Sequence, residues 1–526
     1  MVDAREPAAV SVDPVVVPWR WRRQLPFLLA TVLVTALMYI AVARLNNWYE
    51  PPLSHYSDLN IRIPKALQRL DSRLYPDDPA VGPQARDSLI HRELFILWLS
   101  SAIERWGGFR VPLIIMSALL TLVFVVGIYL LAWYLAHDLL AAALAGVLAT
   151  GNFQAWGGVA LGFAPRQVVP RNFVVALTPW LLLALVQLRR KRSLWMLFAV
   201  LGLLTYLHLI AAFHLCLILL SSVLMTSESM RKGLREILVC GVVALVVASP
   251  AAWRFLPQAE GNAAVSEHIE ERLAQRHWFE LTVSRQQVKD MAAVLVPYGT
   301  VALLGVYQMQ RAGRPAHRGG WRVCASAALA AYALPLLGLL ANSVTLRLRV
   351  LSLLRVSRYF YFFCFVPVAV LLSAQMRQRR ALGRAAAWLL LAGLMVLGAP
   401  EIASLLERQG VVESEPATTA DWDWDGFSKV CEWVAADTPY DARFLVPPEW
   451  ALFRVYAQRS PVADWKGGFN EYYWPVVECY SAPSTDCLAD LVDLTGADYV
   501  VLPSTFDAGA EEPVFWNAHY QVVALP

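Results

Sequence analysis

The sequence predicts a mainly α-helical, polytopic membrane protein with about eleven crossings and a small carboxyl-terminal α/β unit. Three observations carry this. Of the 526 residues, 57% are hydrophobic and 16% charged, against about 25% charged in an ordinary soluble domain. The apolar residues gather into runs long enough to cross a bilayer, which needs about 20 residues per helix. The last 126 residues abandon that pattern for short strands alternating with helices, the signature of an α/β layer with a partly parallel sheet.

The domain plan follows: a cytoplasmic segment over 1–24, a membrane part over 25–400 and an extracytoplasmic α/β unit over 401–526. The polar, Pro/Val-rich start runs into Arg20, Arg22 and Arg23 ahead of the first apolar run, with no small-residue cleavage site after it. That pattern is expected of an uncleaved anchor. Expected crossings are Leu25–Ala43, Val111–Leu135, Leu139–Trp156, Phe173–Leu188, two within Leu194–Met225, Ile237–Trp253, Met291–Tyr307, Cys324–Leu340, Tyr359–Met376 and Ala385–Leu397. The stretch Leu194–Met225 decides the topology, being too long for one span and short for two. If it breaks near His208, the clusters Arg20–Arg23, Arg189–Arg192, Arg231–Arg235, Arg311–Arg322 and Arg377–Arg384 fall on one side. The positive-inside bias then puts the amino end in the cytoplasm and the tail outside. The loop Asn342–Arg358, with four arginines, goes against the bias.

The small net charge of +4 gives no reason to expect nucleic acid. Cys216, Cys240, Cys324 and Cys364 lie in apolar runs and read as buried small hydrophobes. Cys479 and Cys487, in the polar tail, could pair if the tail faces an oxidising compartment.

Between the first two runs lies a long wet break, Asn46–Arg110, expected to carry short amphipathic helices in the interface plane over Ile61–Pro64, Leu67–Leu74 and His91–Trp106. Asp58 follows the first crossing closely, with Arg62 one helical turn on and His55 just before. A carboxylate at a membrane surface can accept a proton from an attacking hydroxyl; a helix cap or solvated acid is the plain reading. Asp77 and Asp78, between two prolines, suit either a turn or a divalent metal. Adjacent side chains diverge in an extended chain, which speaks against a shared ion. Arg166, Arg171, Arg347, Arg349, Arg355 and Arg358 could bind a phosphate, since guanidinium forks fit its geometry and keep their charge beside lipid. Snorkelling to headgroups explains any one of them singly. His208 and His214 sit at membrane depth, where a polar group is a functional candidate or one half of an interhelical hydrogen bond. In the tail, Glu449, Arg454, Asp464 and Lys466 fall near expected strand ends, where α/β layers bind ligands. Aromatic Phe469–Trp474 could stack on a sugar ring or pack inward.

The order of parts (one crossing, a long outer loop with interfacial helices and an acid, then many crossings) resembles the GT-C superfamily of polytopic glycosyltransferases. More narrowly, Asn60–Pro64, Leu70–Asp78, Phe444–Pro448 with Phe453-Arg454, and Arg459–Lys466 resemble an uncharacterised bacterial multipass family grouped with it. The layout covers nearly the whole chain, the matching stretches only a small part of it. The resemblance implies transfer of a sugar from a polyprenyl phosphate to a glycan or lipid acceptor at the outer face of a bacterial inner membrane. It further implies Asp58 as the base, with Asp77 or Asp78 as alternates, and outer-loop arginines on the lipid phosphate. No Asp-x-Asp or Glu-x-Asp pair occurs in the first loop, so no cofactor is assigned, although a divalent metal fits the wider class. The rival reading is a non-catalytic transporter, flippase or assembly component for envelope polysaccharide. Transporters commonly carry internal repeats, and none is visible here.

Overall fold

A computed structural model describes residues 21–45, 58–78, 80–83, 90–150, 153–155, 159–161, 168–189, 193–253, 318–344, 356–377, 424–463, 472–481, 483–506 and 512–525, with short helical pieces within 300–307 and 381–389. The expected crossings Met291–Tyr307 and Ala385–Leu397 lie largely outside these residues, as does the central part of the loop Asn342–Arg358, residues 345–355. The helices of the membrane part are α1 (Trp21–Leu45), α4 (Arg110–Ala136), α5 (Leu139–Thr150), α6 (Pro170–Leu188), α7 (Leu194–Met225), α8 (Met230–Trp253), α9 (Arg318–Val344) and α10 (Ser357–Met376). Two more, α2 (Leu59–Leu70) and α3 (Ile90–Trp106), occupy the break after α1. Among the described residues, four helices, α4, α6, α7 and α8, are both long and apolar enough to span a bilayer. On α8, Leu238, Leu245 and Val246 are each about two-thirds exposed, an apolar surface that suits hydrocarbon and not water.

The central topological finding lies in α7. Its backbone leaves the helical region at His208 (φ −165°, ψ 105°). Were its 32 residues one straight helix, its ends would stand about 48 Å apart. Instead Arg189, just before α7, donates through Nη2 to Val223 O and Ser227 Oγ at the far end, both at 3.4 Å. The two halves therefore fold back on each other, each roughly 20–25 Å long. The imidazole serves the break: His208 Nδ1 accepts the Ala211 N–H at 3.1 Å, capping the second half in the manner of an N-cap side chain. Close packing is bought by glycine at one contact. A Cβ at Gly202 would lie 2.7 Å from Val247 Cβ and 2.8 Å from Ala244 O, so α7 and α8 approach through it.

Cross-helix bonds sort the helix termini into two ends. At one, Trp321 Nε1 donates to Leu135 O (3.2 Å), Ser222 and Ser326 share a hydroxyl hydrogen bond (2.7 Å), and Tyr129 OH donates to Gln24 O (3.4 Å). Asp138 caps α5 through the Leu140 and Ala141 N–H groups and takes bonds from Ser373 and Arg377 at the end of α10. The start of α1, the end of α4, the two ends of α7 and the starts of α8 and α9 thus meet here, with Arg189, Arg231, Arg235, Arg322 and Arg377 among the residues at these termini. We call this the basic end. At the opposite, cap end, Tyr39 OH donates to Ile114 O (3.4 Å) and Tyr359 OH to Ala211 O (3.2 Å). There α3 packs on α7, α4 and α6, and α2 packs on α3.

One expected span is shorter than its apolar run. Helix α5 stops at Thr150, ahead of Gly151-Asn152, and the chain turns into an antiparallel pair, β1 (Phe153–Ala155) with β2 (Val159–Leu161). The expected helix through Leu74 likewise ends at Leu70.

The carboxyl-terminal unit comprises α11 (Trp424–Asp437), β3 (Arg443–Leu445), α12 (Phe453–Ala457), β4 (Ser460–Pro461), α13 (Tyr473–Ser481), α14 (Thr485–Thr495), β5 (Tyr499–Pro503), β6 (Phe515–Trp516) and β7 (Tyr520–Ala524). The sheet order is β4-β3-β5-β7-β6, parallel among the first three strands and antiparallel at β7 and β6. Helix α13 takes up part of the aromatic stretch Phe469–Trp474, and Tyr473 is buried in one cluster with Val476 and Cys479. Cys479 and Cys487 form a disulfide with Cα atoms 5.8 Å apart. Closing so short a loop contributes roughly 2–3 kcal/mol.

Two outcomes are expected. Cysteines placed at positions 189 and 227 will be bridged by a bifunctional thiol reagent of about 10 Å reach, which an unbroken α7 forbids. Alkylation before reduction will leave Cys479 and Cys487 unmodified, and mass spectrometry of the tail peptides checks it.

Candidate functional site

The site is best built from α2, the first ordered element after α1. Leu59, Ile63 and Ala66 are fully buried at helical spacing, so one stripe of α2 faces protein. Asp58 stands at its N-cap, and its backbone oxygen accepts the Ile61 and Arg62 N–H groups. The carboxylate makes no capping hydrogen bond. It lies 3.8 Å from Arg62 Nη2, with 44% of the side chain exposed, so this acid at the cap end can meet a substrate. A partly exposed i,i+4 pair contributes at most about 0.5 kcal/mol, too little to explain the acid as a stabiliser of α2. Arg62 itself is 9% exposed and sets its guanidinium 5.4 Å from the Phe95 ring centroid on α3.

Three helix N-termini open toward the same end: α6, the second half of α7 and α10. Arg171 is the second residue of α6, whose start is fixed by Asn172 Oδ1 accepting the Val169 N–H at 3.2 Å. Arg358 is the second residue of α10, beside Tyr359, which holds Ala211 three residues past the His208 break. Helix N-termini carry partial positive charge and present free N–H groups, which suits an anion. His208 spends Nδ1 on its own helix cap, so in the neutral ring the proton sits on Nε2. His214 is buried within the second half of α7. Of the remaining expected site residues, His55, Arg166, Arg347, Arg349, Arg355, Asp464 and Lys466 lie outside the described residues, as does the Arg358 side chain.

Asp78 and Arg454 require reassignment. The sequence suggests an alternate base for one and a substrate contact for the other; the structure binds them to each other. Arg454 Nε donates to Asp78 Oδ2 at 2.6 Å, with the side chains 1% and 0% exposed. Asp78 Oδ1 meanwhile accepts the Ala80 and Val81 N–H groups at 2.8 and 3.1 Å. Both oxygens are spent and shielded, which removes Asp78 from contact with an acceptor. Its neighbour Asp77 is exposed. Around the pair, Tyr75 is fully buried and donates its hydroxyl to Arg454 O at 2.5 Å; burial raises its pKa, so it remains a donor. Arg73 and Arg459 lie 5.0 and 4.6 Å from the Tyr440 ring. Asp71, held by Arg73 through hydrogen bonds, has its pKa lowered to about 2.

On the other side of this contact, Trp450 is buried among Phe427, Phe453 and Tyr520, and that cluster fixes α12 so that Arg454 faces the loop. Glu449 is exposed just past β3, where neighbouring protein desolvates its carboxyl and raises its pKa. β4 and β5 flank β3 on opposite sides, so Glu449 stands near the point where connections from β3 diverge, the usual ligand position in such sheets. Among the described residues, no three His, Cys, Asp or Glu side chains converge as a metal would require. Sequence reasoning missed Tyr75, Tyr440 and Trp450. Only the Tyr-Pro-Asp-Asp-Pro string hinted at a built turn.

Two known structures resemble this chain in overall fold. The archaeal oligosaccharyltransferase AglB from Archaeoglobus fulgidus, solved with an inhibitory peptide and a dolichol-phosphate, matches with a TM-score of 0.51 at 13% identity, over 92% of this chain and 70% of that one. ArnT from Cupriavidus metallidurans, solved bound to undecaprenyl phosphate, matches at 0.50 and 12% identity, over 96% of this chain and 98% of that one. The chain has a GT-C-like fold. At such identities the GT-C likeness concerns fold alone. The sequence profile of a domain of unknown function, DUF6798, matches residues 425–475, from α11 into the first residues of α13, a stretch that includes Arg454. A comparison with curated protein sequences finds no match.

Removing either member of the buried pair strands the other charge, at a cost of about 3–5 kcal/mol. Asp78→Ala and Arg454→Ala are each expected to lower the midpoint of thermal unfolding in detergent by many degrees. Asp77→Ala, at an exposed position, should leave it unchanged.

Proposed function

We propose that the protein is a glycosyltransferase of GT-C type that moves a sugar from a polyprenyl phosphate to a glycan or lipid acceptor. The observation that carries this reading is an exposed carboxylate, Asp58, at the end of the bundle toward which three helix N-termini point. Asp58 accepts the proton of an acceptor hydroxyl. The hydroxyl oxygen attacks the anomeric carbon, the bond from that carbon to the phosphate oxygen breaks, and polyprenyl phosphate departs with the electron pair. Arg171, Arg358 and the N-termini of α6, α10 and the second half of α7 stabilise the charge on the leaving phosphate. Arg166, Arg347, Arg349 and Arg355 are assigned to the same task, with Arg62, His55 and His208 at the rim. Glu449 and the segment bearing Asp464 and Lys466 are assigned to the acceptor.

The cap end is assigned to the outer face of a bacterial inner membrane. Arginine-rich termini gathered at the opposite end support this through the positive-inside bias. The Cys479–Cys487 disulfide adds support, since such bonds persist in oxidising compartments. AglB and ArnT, solved with dolichol-phosphate and undecaprenyl phosphate respectively, support the donor class.

The test uses purified full-length protein and a panel of undecaprenyl-phosphate hexoses and pentoses, with release of undecaprenyl phosphate as readout. Asp58→Asn is expected to slow release by about 10²–10⁴-fold, the range of a lost general base, with an unchanged thermal midpoint. Wild-type turnover in that variant removes Asp58 as base. Absence of turnover in the wild type across the panel, with a substrate flipped between leaflets of vesicles, favours a transporter.

A further inference from the structure

The buried pair between Asp78 and Arg454 joins positions 376 residues apart. Buried ion pairs are poor stabilisers, because desolvation offsets attraction and a well-packed apolar pair of similar volume is often as stable. What a guanidinium and a carboxylate add is direction: one geometry satisfies the bond, whereas apolar side chains can slide. The surroundings point to a contact built for register. Tyr75 adopts a left-handed backbone (φ +56°), uncommon for an aromatic residue and sustained only where the surroundings dictate it. It is this conformer whose hydroxyl meets the backbone oxygen of Arg454. At Gly82 a Cβ would lie 2.6 Å from Asp78 O and 2.7 Å from Tyr75 O, so the turn is closed on itself and admits no side chain there. Immediately before this turn runs α2, packed on α12 on one side and on α3 on the other, where Arg62 lies against Phe95.

We infer that the Asp78–Arg454 pair is a register lock through which the carboxyl-terminal unit sets the position of α2, and with it Asp58 over the bundle. Asp78 and Arg454 are positioning residues on this account, touching neither donor nor acceptor. Insofar as it concerns catalysis, the inference rests on the reading of Asp58 as base. The geometric part does not.

The experiment compares Asp78→Leu/Arg454→Leu and Arg454→Lys with the wild-type full-length protein in detergent. Three quantities are read: the thermal midpoint, amide hydrogen exchange across residues 59–70, and undecaprenyl phosphate affinity by native mass spectrometry. Turnover is measured with any donor the wild type consumes. The double leucine variant is expected to melt close to wild type, exchange α2 amides at least tenfold faster and turn over at least tenfold slower, with undecaprenyl phosphate affinity unchanged. Arg454→Lys keeps the charge but replaces a planar fork with a point donor. It is expected to loosen α2 several-fold, and it decides the matter should the double variant fail to fold. Wild-type exchange over α2 in a folded double variant, or in Arg454→Lys, overturns the lock. Should Asp58→Asn prove fully active, the base assignment falls while the α2 exchange data still decide the lock.

Discussion

Hydrocarbon admits neither a free charge nor an unpaired backbone amide, and that exclusion arranges nearly everything described above. It drives the arginine clusters to helix ends and obliges the one backbone break inside a long apolar helix to be satisfied locally. His208 meets the obligation by turning its own ring onto the Ala211 N–H. Because that break folds α7 back on itself, each later helix runs opposite to the direction it would take after a straight α7. Arg358 consequently begins its helix at the end of the bundle that carries Asp58, although some 300 residues separate them in sequence.

Two kinds of polar contact serve two purposes. At the basic end, hydroxyls and backbone oxygens join neighbouring helices, as Ser222 does with Ser326 and Trp321 with Leu135. These contacts fix helix against helix. At the cap end a charged pair is withdrawn completely from solvent, and its partners come from the first loop and the carboxyl-terminal unit. Bulk packing by Trp450, Phe453 and Leu59 supplies the attraction; the pair supplies orientation. An exposed carboxylate is left one element away, at the start of α2. The protein thus spends one acid of the loop on architecture and keeps another in contact with solvent.

That division also separates what linear order reveals from what it conceals. The helix run, the need for a break near His208 and the strand–helix alternation of the tail all follow from apolar period, span length and charge. Each reflects a local or one-dimensional constraint. The same logic overran at Leu139–Trp156, where apolar composition persists but α5 ends at Thr150 and Phe153–Ala155 pairs as strand β1 with β2. It overran again past Leu70, because the bonding of Asp71 with Arg73 and the left-handed Tyr75 depend on partners outside the helix. For aromatic Tyr473 the sequence left sugar stacking and packing open; it is buried in the tail core, since exposure of an aromatic side chain is decided by what folds over it.

Sequence by itself determined the membrane class, the positions of most helices and the presence of an acid after the first crossing. Those properties depend on composition and spacing, which hydropathy and helix rise translate directly into geometry. Only the tertiary structure decided which of three loop acids is withdrawn from solvent: Asp78 is buried, while Asp58 and Asp77 keep contact with water. Asp58 and Asp78 are chemically identical in the chain. Their difference is created by Arg454, which arrives from the far end of the sequence and desolvates one of them.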